Sequence, residues 1–207
     1  MADVDQQWPG LVLPVGHRLG ELHDPSSPGP RQVVVRHGAT AELLTPEDSR
    51  VWERAHAGGE PSGARAVAVA RRLLGLGVDP DEAVPRLVAR GLLVHVDPRD
   101  HDAPRVSATV RARPSGQATG AAPDGTTGYG LPGLPPLTRL TGRHVDVWLA
   151  AVLATDLRRA AAGVQALWAE DLDGAPGPDL ERRVLVDLWD VVAQMVSDGA
   201  GHLDTAG

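Results

Sequence analysis

The chain contains no cysteine, lysine, asparagine, isoleucine or phenylalanine. Without cysteine there are no disulfides, no thiolate metal ligands and no cysteine nucleophile. The missing lysine leaves arginine as the sole strong base. With abundant Ala, Gly, Pro, Arg and Val, that absence points to a GC-rich genome rather than to a function. No apolar run approaches the roughly 20 residues of a membrane helix. The acidic start, Met1 to Asp5, lacks the basic and apolar regions of a secretion signal. The expected setting is therefore cytoplasmic, with no membrane partner. A formal charge of −7 argues against a large nonspecific nucleic-acid surface, because such binding neutralises phosphates.

Catalytic signatures are missing as well. There is no Walker-type glycine loop ending in lysine, no Gly-x-Gly-x-x-Gly, no His-Glu-x-x-His and no Gly-x-Ser-x-Gly. No catalytic residue, cofactor or metal is assigned on this basis, and a non-enzymatic role is the expectation.

What is present is an internal echo. Leu44, Thr45, Val51, Trp52 and Ala55 return 96 positions later as Leu140, Thr141, Val147, Trp148 and Ala151. Val88 to Gly91 and His95 to Asp97 return as Val196 to Gly199 and His202 to Asp204, with one residue lost in between. The chain of 207 residues thus reads as two copies of a small domain, with Trp52 and Trp148 in equivalent buried positions.

In chain order, residues 1–30 read as an N-terminal extension with one short edge strand, Leu11 to Val15, because proline is tolerated at an edge. A hairpin follows, Gln32 to Arg36 and Ala39 to Leu44, turning at His37-Gly38. Thr45 as N-cap, Pro46 at the first helical position and Asp48 answering as a capping box start a helix to about Ala57. A second helix is expected over Ala64 to Leu74. A third runs from the Asp79 cap to Gly91, and a strand over Leu92 to Val96 follows. This order is that of a winged helix-turn-helix, within the α+β class.

Residues 98–136 turn to Asp, Gly, Pro, Thr and Ser. They read as a linker or extended wing, partly disordered, with one alternating strand over Val106 to Arg113. The second copy, 137–207, is helix-rich. Its last helix, about Asp179 to Ser197, places Leu180, Val184, Leu188, Val191, Val192 and Met195 three and four apart. The apolar surface beyond that stripe, Val184 to Val186 and Trp189, is expected to pack within the chain. A homodimer through this helix is the alternative.

Two clusters invite chemistry. His95, Asp97, Asp100, His101 and Asp102 hold metal-ligating types, but without regular ligand spacing they read as a strand end and a polar loop. The pairs Arg71-Arg72, Arg158-Arg159 and Arg182-Arg183 have phosphate-gripping chemistry. Neighbours on a helix point apart, however, and solvated faces are the simpler reading. The third helices offer Asp81, Glu82, Pro85, Arg86 and Ala89, or Glu181, Arg182, Asp187 and Asp190, which are poor readers of base edges.

Leu44 to Glu47, Trp52, Gly77 to Pro80 and Leu87 to Leu93 together resemble the PqqD-like winged-helix family, peptide-recognition modules attached to peptide-modifying enzymes. The resemblance covers about Gln32 to Asp97, with a degenerate version over Leu137 to Asp204. It implies tandem winged-helix domains, 31–97 and 137–207, and a peptide- or protein-binding accessory role, with recognition of a precursor peptide. By position it places Val33, Val34, Val35 and Arg36 on a peptide-pairing edge, with Arg86 and Arg90 on the flanking helix. A DNA-binding regulator of the winged-helix class is the alternative.

Overall fold

The computed structural model describes residues 8–23, 31–56, 62–171 and 177–207. It is a mixed α+β protein of small antiparallel sheets and helices that divides into two compact units, Met1–Val96 and Asp97–Gly207. Residues 1–7 and 24–30 of the expected N-terminal extension lie outside the described residues.

The first unit begins with β1 (Leu11–Pro14) and β2 (His17–Leu22), followed by β3 (Gln32–His37) and β4 (Thr40–Leu44). Helices α1 (Pro46–Ala55), α2 (Ser62–Leu74) and α3 (Pro80–Ala89) lead to β5 (Leu93–Val96). β1 pairs antiparallel with β5, and β2, β3 and β4 form a second sheet in that order. α1 starts as its sequence dictates. Thr45 is extended, its hydroxyl accepts the Asp48 N–H at 3.1 Å, and Pro46 occupies the first turn. α3 starts likewise, with the Asp79 carboxylate accepting from the Asp81 N–H.

The second unit repeats this plan. After α4 (Ala103–Ser107) come β6 (Val110–Pro114), β7 (Gln117–Ala121), β8 (Thr127–Gly130) and β9 (Thr138–Leu140). Then come α5 (Gly142–Leu153), α6 (Leu157–Asp171), α7 (Pro178–Ser197) and β10 (Gly201–Thr205). β6 pairs with β10, and β7, β8 and β9 form the second sheet.

The likeness extends to register. β2 is bulged between Arg18 and Gly20, and β7 between Ala118 and Gly120. Val15 donates to the Leu92 carbonyl at 2.9 Å, and Ser115 to the Ala200 carbonyl at 3.0 Å. Gly91 and Gly199 end the third helices with φ of 71° and 73°, a left-handed conformation that favours glycine. Trp52 and Trp148, at 3% and 2% exposure, are buried at the same place on α1 and α5.

Four expectations are corrected. Residues 1–30 are not merely an extension, because β1 and β2 complete both sheets of the first unit. Residues 98–136 are not a linker or wing: α4, β6, β7 and β8 belong to the second unit's own sheets and helices. Val106 to Arg113 is not one strand, since Ser107 ends a helix whose turn precedes β6. The echo of His95 in His202 is one residue out of step. β6–β10 pairing sets His202 against Arg113 and Gly201 against Pro114, whereas Leu93 faces Pro14 and Val94 faces Leu13. His202 thus matches Val94, not His95.

The core of the first unit gathers Val33, Val35, Leu44, Val51, Trp52, Leu73, Val84 and Leu87. In the second, Val184, Leu185, Leu188, Trp189, Val192 and Met195 of α7 are buried, so the surplus apolar surface of this helix, apart from the half-buried Val186, is used within the chain. No described helix is long and apolar enough to cross a membrane.

Candidate functional site

The residues singled out for peptide recognition lie on β3 and α3. Val33, Val34, Val35 and Arg36 belong to the middle strand, with β2 on one side and β4 on the other. A strand paired along both edges has no backbone groups left for a third partner. The expected pairing edge therefore cannot be β3, and the open edges of this sheet are those of β2 and β4.

These two edges differ. β2 carries the bulge, and Arg18 and Glu21 pair across it at 2.7 Å; bulges and charges are the usual protection against edge-to-edge pairing. β4 is regular. His37 pairs with Thr40 around the two-residue loop Gly38-Ala39, and the closing pair of such a hairpin is hydrogen-bonded. Alternation then turns the N–H and C=O of Glu42 and Leu44 toward β3, and those of Ala41 and Leu43 outward.

Across from β4, α3 presents Arg86 and Arg90 one turn apart. Arg90 donates to Glu42 Oε2 through Nε and Nη2, at 3.2 and 2.7 Å, and to Asp48 Oδ2 through Nη1 at 2.7 Å. Arg86 donates to Asp48 Oδ1 and Glu47 Oε1, each at 2.9 Å. His37 Nε2 lies 3.0 Å from Glu42 Oε1. The hub is Asp48, whose side chain is only 5% exposed. Burial pushes the Asp48 carboxyl up, but bonds from Arg86 and Arg90 more than offset this and hold it below the usual carboxylate range. Glu42 behaves alike: burial raises it, and Arg90 and His37 bring it below its ordinary value. The guanidinium groups are raised, chiefly by Asp48 for Arg86 and by Glu42 for Arg90.

Thus α1, α3 and β4 are tied together by side chains alone, and the backbone edge of β4 stays uncovered among the described residues. Asp48, expected to complete a capping box, uses its carboxylate mainly on α3. Sequence reasoning found both arginines but missed Glu42, Glu47 and Asp48. The available signal was Glu42's phase: it faces Val35 across the hairpin and shares the inward side with Leu44. An inward carboxylate needs a cation.

The second unit handles the corresponding edge differently. Gln194 of α7 donates to Thr138 Oγ1 at 2.9 Å and to the backbone carbonyl of Arg139 at 3.2 Å, so a side chain already occupies the β9 edge. Where α1 begins with Glu47 and Asp48, α5 begins with Arg143 and His144. Arg143 stacks over Trp168 at 3.7 Å from the ring centre. Burial pushes the Asp187 carboxyl on α7 up, with Asp190 adding to this and Arg143, His144 and Arg183 opposing it.

The histidine-rich cluster disperses. His95 Nε2 meets the Pro9 carbonyl at 3.0 Å and its ring lies against Trp8, while His101 is exposed beside Asp100 and Asp102. Among the described residues no three His, Asp or Glu side chains are grouped to hold a metal. Comparison with family models, curated proteins and solved structures finds no match.

Proposed function

We propose that both units are winged-helix domains of the PqqD-like kind and that the first is a non-enzymatic peptide-binding accessory module, its partner adding as a strand to β4. The observation that carries this reading is the open, unbulged edge at Ala41 and Leu43 on a strand that Arg90, at the end of the third helix, grips through Glu42. β-augmentation needs those elements: unpaired backbone groups on an edge and a helix wall beside them. The occupied β9 edge makes the second unit a scaffold or a site of another kind.

A precursor peptide of a modifying enzyme is the partner class the family resemblance suggests. The DNA-binding alternative has less to stand on. Arg86 and Arg90 are spent on Glu42, Glu47 and Asp48, and the remaining outward positions of α3 include Asp81, Glu82, Pro85 and Ala89.

The test is selection of a displayed random-peptide library on the full chain, repeated with Leu43→Pro. Proline there removes an outward N–H and leaves the β3 ladder intact. Enrichment of peptides that bind the wild type and lose at least about tenfold on the variant, roughly the worth of one or two backbone hydrogen bonds, supports the reading. Equal binding to both contradicts it.

A further inference from the structure

The first half of α7 borders a cavity of about 560 Å³ lined by Arg99, Asp179, Arg182, Arg183, Val186 and Asp187. Arg99 arrives from the loop after β5, far from the other two arginines in sequence. Among the described residues none of Arg99, Arg182 and Arg183 forms an ion pair. This contrasts with the doubly bonded Arg86 and Arg90 of the first unit.

We propose that this cavity binds a small phosphorylated molecule. A phosphate offers more oxygens than a carboxylate does, and a second negative charge. Three arginines lining one cavity suit a dianion with three or more oxygens, because a guanidinium can offer two parallel N–H donors to such a group. The volume falls within the range of small-molecule sites, about 300–1,000 Å³. Asp179 and Asp187 accept hydrogen bonds from hydroxyl or amino groups on the rest of the ligand, and Val186 supplies an apolar wall. A phosphate ester carrying such donors, of nucleotide or sugar-phosphate size, matches this lining. A polymeric nucleic acid does not, because the net charge of −7 opposes a long phosphate backbone.

The experiment is titration calorimetry of the full chain with inorganic pyrophosphate, and separately with a single-stranded oligonucleotide. Arg99→Ala, Arg182→Ala and Arg183→Ala are compared with Arg54→Ala, an exposed arginine on α1. The expected result is pyrophosphate binding at millimolar or tighter affinity, weakened about tenfold or more by each cavity variant and unchanged by Arg54→Ala. All four side chains are on the surface, so folding is preserved. No heat up to about 10 mM pyrophosphate, equal loss in Arg54→Ala, or binding of the oligonucleotide alone overturns the proposal.

Discussion

Trp189 and Ser107 form in the second unit the bond that the first unit makes with its partners exchanged. The Trp189 indole N–H, on α7, donates to Ser107 Oγ at 3.0 Å. In the first unit the indole comes from the segment before β1, where Trp8 donates to Asp81 Oδ1 on α3 at 3.1 Å. Both bonds tie the third helix to the chain ahead of the first strand. Ser107 and Trp189 are fully buried, and Ser107 also donates to the Ala103 carbonyl. Ser107→Ala leaves an indole N–H unpaired in the core and is expected to cost about 1–3 kcal/mol. Asp81→Ala, at a part-buried bond, is expected to cost less. Urea unfolding midpoints check the ranking.

Asp48 holds two guanidinium groups and is nearly inaccessible. Asp48→Ala strands both arginines and is expected to destabilise by about 2 kcal/mol, discounted because Arg86 and Arg90 are about one third exposed. Glu47→Ala, at the exposed end of the network, is expected to cost under about 0.5 kcal/mol. Denaturant titration of the two variants distinguishes a hub from a rim.

The pH dependence has two limbs of the same sign. Asp48 and Glu42 have lowered folded values, so the stability they contribute is complete above the ordinary carboxylate range and is lost as pH falls through those lowered values. Burial also lowers His56, against the pull of the Trp52 carbonyl and Glu53. A histidine held neutral contributes fully above its ordinary value, and that contribution declines as pH falls below it. Thermal midpoints are expected to drop between about pH 7 and about pH 5. That slope is expected to flatten in His56→Gln, while the acid limb remains.

Gly201 pairs with Pro114 where the first unit pairs Leu93 with Pro14. A Cβ at Gly201 would run into the Trp148 ring and the Arg113 carbonyl. The indole is 2% exposed and packed in the core, which resists its displacement. Gly201→Ala is expected to cost about 1–3 kcal/mol. An unchanged unfolding midpoint would mean the ring yields.

Much of the α-helical framework was legible in the sequence because its signals are local. Thr45-Pro46, Asp79-Pro80, Gly91 and Gly199 act through neighbouring backbone, and Val51, Trp52 and Ala55 repeat at helical spacing. The strands His17–Leu22, Gln117–Ala121 and Thr127–Gly130 were not legible. Their glycines, charges and small polar residues give no alternation, and only pairing with β3 or β9 and their neighbours fixes them. Because β2 carries no strand signal of its own, β3 looks like an edge in the sequence. The arginines of α3 were visible, but their engagement with Glu42 and Asp48 depends on contacts about forty residues apart, which no local pattern records. The His95 and His202 echo shows the opposite hazard: identical letters occupy different registers, because hydrogen-bonded pairing sets equivalence.

The most direct test of peptide pairing is residue-resolved hydrogen exchange of the full chain, with and without a peptide selected on it. The amides of Ala41 and Leu43, which point away from β3, are expected to gain protection of about tenfold or more, while those of Val33 to Arg36 are already protected and change little. Protection confined to residues outside β4 and α3, with Ala41 and Leu43 exchanging as in the free chain, would contradict the account.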